Sequence, residues 1–275
     1  MGTVSIATDD EHNNIVPEHF TYVTAVTSKG KPNDTFNILK NIIDNRLGSI
    51  MGNGVDNAAK LRIDSAIGLN EFYSDRQGKE ELVSAKRNEG GFVHLCSELD
   101  PDEKTRNTFT CDMIITNVSR QEANEERQIP EKVIVKGAIF DFRKALLPVE
   151  FSAVNPNAMN YFEGLGATGK EPVFTKVWGR QVSETVVRTV TEESAFGEDS
   201  VREFKSTRKD FVITGASKEP YAWDSEDTIT ADELVKAMAD RETYLATVKQ
   251  RQDEYKASKA NAAAPATPAA GGFNF

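Results

Sequence analysis

The sequence predicts an α+β protein that is mainly β, and three observations carry that expectation. β-branched and aromatic residues concentrate between Glu131 and Phe211, in short runs that suit pleated, half-buried strands better than helices. Clusters of Gly, Asn, Asp and Pro separate those runs. The clearest helical signatures stand in three places: a segment beginning at Asn33, a short one at Asn155 between two groups of strands, and a C-terminal one at Ile229. Short strands carrying Lys and Arg beside aromatics fit a small curled sheet with a polar, partly aromatic working face.

Taken in order, the chain opens with polar text and one expected strand over Phe20–Val26, where apolar and polar residues alternate. Asn33 or Asp34 then caps a helix whose face is Phe36, Leu39, Ile42, Ile43 and Leu47, with Gly48 ending it. Met51 to Gly54 is a turn and lacks the spacing and the Gly-Lys-Ser/Thr ending of a phosphate loop. Leu61 to Leu69 reads as a strand with Gly68 at a bulge, Asp75 to Lys79 as a turn, and Glu80 to Arg87 as strand or short helix. Asn88 to Gly91 is expected to turn the chain into a further strand, Phe92 to Cys96.

Thr108 to Val118 is a strand with Phe109, Cys111, Met113 and Ile115 on one side, followed by a charged helix or loop from Ser119 to Gln128. The β-rich run Lys132–Phe142 follows. Asn155, Pro156 and Gly164 then supply the cap, first position and stop of a short helix. The strand at Phe174–Arg180 continues through Val182, Val186, Val187 and Val190, and Asp210–Gly215 closes the sheet. Thr230 and Glu233 form a capping box for a long helix bearing Leu234, Met238, Leu245, Val248 and Tyr255 on a stripe. Beyond Lys259 the Ala/Pro-rich text cannot bury a core and reads as a linker, except for its aromatic tip, Phe273 and Phe275.

Composition narrows the function classes. With 275 residues, 39% hydrophobic and 28% charged, the chain has length for one large core or two smaller ones. No apolar run approaches the ~18 residues of a membrane helix, and Met1 to Asp10 lacks the basic head and apolar core of a secretory leader. Cys96 and Cys111 sit in strand-like text and read as buried free thiols of a reducing cytoplasm. The net charge of −10 is spread along the chain and argues against a simple basic sleeve for nucleic acid. Local basic faces survive that balance, because screening confines electrostatics to about 8–10 Å.

Enzyme signatures are weak. His12, His19 and His94 accompany no nucleophile motif, and His94 with Cys96 and Cys111 matches no familiar zinc spacing. A core histidine beside a core cysteine is the expectation there, and neither catalysis nor a metal or cofactor is expected. Binding is better supported, because aromatics recur beside cations: Phe72 and Tyr73 with Arg76 and Lys79; Lys86 and Arg87 with Phe92; Phe140 and Phe142 with Arg143 and Lys144. Phe174, Lys176, Trp178 and Arg180, and Phe204 among Arg202, Lys205, Arg208 and Lys209, continue the pattern. Single-stranded nucleic acid asks for this chemistry, since bases stack on rings while Lys and Arg track phosphates. Period two places Phe174, Lys176 and Trp178 on one face of a strand.

The run Phe174-Thr-Lys-Val-Trp-Gly-Arg-Gln181 resembles the Phe-x-x-Val-x-Trp-Gly-Lys strand of OB-fold single-stranded DNA-binding proteins of the bacteriophage replication type. The resemblance implies an elaborated OB-fold-like barrel with a short helix between strand groups, flanked by an N-terminal and a C-terminal helix. It implies an extension at 1–60, an OB-like β domain at 61–217, a helix at 218–259 and a tail at 260–275. Phe174, Lys176, Trp178 and Arg180 then map to the stacking and phosphate-contacting strand; composition adds Phe140, Phe142, Arg143, Lys86 and Arg87. Phe273 and Phe275 map to a tail recruiting replication or recombination proteins, although no Asp or Glu follows Glu254 as it does in that family. The expected function is sequence-tolerant, non-catalytic binding of single-stranded DNA during replication or recombination, in the cytoplasm of a host cell. The alternative is a structural or assembly protein of a virion or scaffold.

Overall fold

A computed structural model describes residues 1–76, 78–125, 129–192, 196, 200–223, 225 and 228–262. It is mainly β, with a four-stranded sheet beside a closed five-stranded barrel. Strands β1 (Gly2–Ala7) and β2 (Ile15–Phe20) form an antiparallel hairpin, so the N-terminal strand ends where the sequence expected it to begin. Phe20 is buried against Gly90, whereas Tyr22 and Val26 are exposed in a loop closed by the Val26–Pro32 bridge. Among the described residues the alternation of Tyr22 to Val26 finds no neighbouring strand to pair with. Asn33 precedes helix α1 (Asp34–Ile43), but its side-chain amide donates to Thr24 O (2.9 Å) and does not cap. Thr35 anchors α1 by accepting from Val93 N at 3.1 Å, and Ser49 caps the short α2 (Ile50–Asn53).

Strands β3 (Lys60–Arg76) and β4 (Lys79–Cys96) make one long hairpin, in the order β1-β2-β4-β3. The turn expected at Asn88–Gly91 is therefore strand. The register shifts between Asp64 and Ser65, which face Phe92 and Gly90, so Gly91 is the extra residue of a bulge. A Cβ on Gly91 would meet Asp64 O at 2.6 Å, and one on Gly90 would meet the Phe20 ring at 2.4 Å. These glycines admit close packing; they do not reverse the chain. Alternation then buries Val93 and turns His94 outward, where its Nε2 lies 3.5 Å from Asp64 Oδ2. His94 is thus no core residue. Cys96 and Cys111 are both half-buried and unpaired, and burial pushes the Cys111 thiol up to about 12.

The barrel strands are β5 (Thr108–Gln121), β6 (Lys132–Phe140), β7 (Leu146–Ala153), β8 (Val173–Glu192) and β9 (Ser200–Ala216). They close in the order β5-β6-β7-β9-β8, antiparallel except where Ser152 of β7 meets Val212 of β9 in parallel. Helix α3 (Pro156–Gly164) lies between β7 and β8, so this is the OB-like barrel the sequence led one to expect. Its strands begin at Thr108; the stretch Lys60–Cys96, grouped with it from sequence, pairs with β2 instead. Asn155 caps α3 through Asn157 N at 2.9 Å, and Met159 and Phe162 plug the core beneath Met113, Ile115, Val133, Val135, Val177 and Ile213. Phe109, Phe151 and Phe211 cluster with ring centroids 5.0–5.9 Å apart.

Two of the polar joints that hold the parts together recruit a buried carboxylate. In the first, Asn88 Nδ2 donates to Glu18 Oε1 (2.8 Å) and to Gln181 Oε1 (2.7 Å), tying β2, β4 and β8. Glu18 is only 5% exposed and its Oε2 has no well-placed partner among the described residues, although the nearby Ser65 hydroxyl favours the charged form. Desolvation dominates and raises its pKa above 4.5. The second joint fixes helix α4 (Ala231–Ala262), whose Thr230–Glu233 capping box forms reciprocally at 3.0 and 3.2 Å. Along β3, Arg241 pairs with the buried Glu71 and donates to Leu146 O at 3.3 Å. Gln252 bonds both backbone groups of Tyr73, while Lys249 and Lys256 flank Glu80.

Arg241→Ala strands Glu71 without its partner and is expected to cost about 3–5 kcal/mol in urea unfolding, whereas the double variant Arg241→Met/Glu71→Met regains most of it. Glu18 binds its proton more tightly in the folded chain, so its contribution is full below pH 4.5 and is lost as pH rises through the raised folded pKa. Glu18→Gln should therefore raise Tm at pH 7, and the gap from the native chain should close as pH falls toward 4.5; a pH-independent gap contradicts this.

Candidate nucleic-acid interface

Alternation along β8 decides which side chains reach solvent. Thr175, Val177 and Gly179 point into the barrel, so Phe174, Lys176, Trp178 and Arg180 share its outer face. The register with β9 shifts between Trp178 and Gly179, where a Cβ on Gly179 would lie 2.0 Å from Val212 O. The same bulge sets the Trp178 ring against Gly215, whose added Cβ would fall 2.3 Å from Nε1. Trp178 keeps 40% of its surface exposed, with Thr110 of β5 opposite it and Asp112 opposite Lys176. Lys176 is exposed and has no ion pair among the described residues; Arg180 is half-exposed.

Phe174 shares this face but is only 4% exposed. The chain after β9 folds back over it: Tyr221 and Trp223 lie with ring centroids 5.2 and 6.0 Å from the Phe174 ring. Phe174 thus has no free face for a base. Tyr221 N donates to Phe174 O (2.8 Å), Ser217 N to Lys176 O (2.9 Å) and Tyr221 Oη to Asp112 Oδ1 (3.0 Å). Neither Tyr221 nor Trp223 stands out in the sequence as a site residue. The available signal is that Trp223 is one of only two tryptophans and stands in polar text beside Tyr221.

The second group lies in the turn between β6 and β7. Asp141 Oδ1 accepts from the backbone of Arg143 and of Ala145, each at 2.8 Å, and Lys144 takes a left-handed φ of 62°. The tight turn pushes Phe142 out to 84% exposure, with the Arg143 guanidinium 5.0 Å from its ring centroid, while Phe140 is half-buried. Met113 pairs with both Ile139 and Thr175, so β6, β5 and β8 lie side by side at that level. From there the turn and Lys176–Arg180 run in the same direction, with β5 between them.

Lys86 and Arg87 do not join this surface. Lys86 lies over Phe151 and Phe211, 5.4 and 5.1 Å from their centroids, and donates to Glu150 O. Burial lowers its pKa, with Asp210 and Glu150 opposing. Its ammonium closes the barrel over the aromatic cluster. Arg87 pairs with Glu89 at 2.9 Å. Phe273 and Phe275 lie outside the described residues. No group of three or more His, Cys, Asp and Glu side chains arranged for a metal occurs among the described residues.

No curated protein and no solved structure matches the chain. A family model described as YorF matches residues 1–251, a span that takes in the sheet, the barrel and most of α4.

The seat of Trp178 is testable in a Trp223→Phe background, where Trp178 alone emits. Gly215→Ala puts a methyl group where the ring now lies and should cost roughly 1–3 kcal/mol. The Trp178 emission should move to the red with far-UV circular dichroism unchanged; an unmoved spectrum would show that the ring does not rest on Gly215.

Proposed function

The chain belongs to the YorF family, and we propose that it binds single-stranded DNA without sequence preference and without catalysis, protecting intermediates of replication or recombination. The observation that carries the reading is the outer face of β8, where the half-exposed Trp178 stands between Lys176 and Arg180. A base stacks on the open face of the indole while the two cations meet the flanking phosphates. The Phe142–Arg143 tip, leaving the same level of the barrel, supplies another ring and another cation. An OB-like barrel is a scaffold on which such faces occur. In the same reading, Phe273 and Phe275 are the docking end of a tail that meets replication or recombination proteins in the cytoplasm of a host cell.

Binding rests here on few cations. Lys176, Arg180 and Arg143 together predict a slope of about −2 for log K against log salt on a single strand. The test is a titration with oligothymidylate and with duplex DNA at two salt concentrations. Preference for the single strand is expected, with Trp178→Ala losing about 1–3 kcal/mol and Lys176→Ala shallowing the slope by about 0.7. Absence of binding to oligothymidylate at low salt refutes the proposal.

A second reading, assembly into a virion or scaffold, draws on the exposed Phe196, between β8 and β9 in sequence, and on Val201 and Phe204 of β9. Light scattering separates the two: a DNA-free ring or lattice that Trp178→Ala leaves intact favours assembly.

A further inference from the structure

We infer that Trp223 is a second stacking platform of the same site, that Phe174 is its support, and that Lys176 lies between the two indoles to take a phosphate. The inference rests on the single-stranded DNA reading above and names residues which that reading leaves out.

Three observations lead to it. Trp223 stacks on Phe174, with an interplanar angle of 27° and 6.0 Å between centroids, so one face of the indole is backed by a buried ring. Its exposure is 38%, close to the 40% of Trp178, although its backing would allow a smaller ring to cover Phe174. The segment that carries it is tied down. Ser217 N and Tyr221 N donate to Lys176 O and Phe174 O, Tyr221 Oη donates to Asp112, and Tyr161 Oη donates to Ser217 O at 2.8 Å. Together these bonds carry the chain on from β9 along the same side of β8, as a short strap beside the outer row.

The geometry then reads along β8 as platform, cation, platform. Phe174 and Trp178 are four residues apart, about 13 Å in an extended strand. Lys176 projects midway on the same face, leaving room for a short run of nucleotides whose end bases rest on Trp223 and Trp178. Tyr221 has a positioning role: its hydroxyl holds Asp112, the residue opposite Lys176. The alternative is that Trp223 merely shields Phe174 from water.

The chain holds only two tryptophans, so each can be read alone. Full-length Trp178→Phe emits from Trp223 only, in its native place, and Trp223→Phe emits from Trp178 only. Both are titrated with oligothymidylate at low salt, and Trp223→Ala is compared with the native chain for affinity and for thermal unfolding. Quenching is expected in both single-tryptophan proteins, with Trp223→Ala weakening binding about tenfold. Quenching of Trp178 with an unresponsive Trp223 overturns the inference and leaves single-stranded DNA binding standing. No binding by any of the proteins, the native chain included, overturns both. If Trp223→Ala fails to fold, the Trp178→Phe titration decides alone, since it leaves Trp223 untouched.

Discussion

The barrel closes through one narrow seam. Where β5, β6 and β8 share long antiparallel ladders, β7 and β9 meet in parallel at Ser152 and Val212. Backbone pairing that sparse is held by side chains: Lys132 of β6 donates to Asp210 of β9 (2.6 Å) and to Ser152 Oγ (3.0 Å), and Ser152 Oγ donates to Asp210 (2.6 Å). All three are largely buried, so the charges lose much of their hydration and gain from one another only because each is hydrogen-bonded. What they secure is closure, and a closed barrel is what presents one side of β8 inward and the other outward. The candidate site therefore depends on a contact remote from it in sequence.

On that frame the outer row is shaped by two local choices. Gly179 lets β9 approach closely enough to shift register, and Gly215 leaves a seat into which the Trp178 ring settles. Packing supplies the other half. Phe174 would be a second apolar side chain of the row in water were it not roofed by Tyr221 and Trp223. The face so produced is neither a hydrophobic patch nor a basic groove. It is a line of rings separated by a cation, compatible with a chain that is acidic as a whole.

Much of this is legible in the sequence through local rules. The cap, Pro and Gly around Pro156–Gly164, the Thr230–Glu233 box, and the alternation of Phe109, Cys111, Met113 and Ile115 each determine their element through near neighbours. The features that local rules misread are set by distant residues. Asn88 to Gly91 looks like a turn until Asp64 and Phe20 are known to lie across from it. His94 looks like core until the alternation of β4 is phased by Val93. Lys86 beside Arg87 looks like half of a basic patch, yet it is drawn over Phe151 and Phe211, more than sixty positions away. Period two places Phe174 on the same face as Trp178, but nothing in that period foretells the strap that covers one and spares the other.

Gln252 has a role beyond anchoring α4. Strand β3 is the outermost strand of its sheet, and the Gln252 carboxamide answers the outward N–H and C=O of Tyr73 as the backbone of another strand would. Far along this seventeen-residue edge, a single side chain occupies the pairing position that a foreign strand would need. The helix thereby blocks strand addition at Tyr73 on a long, ribbon-like edge. Its departure would expose this molecule to its own copies as well as loosen it.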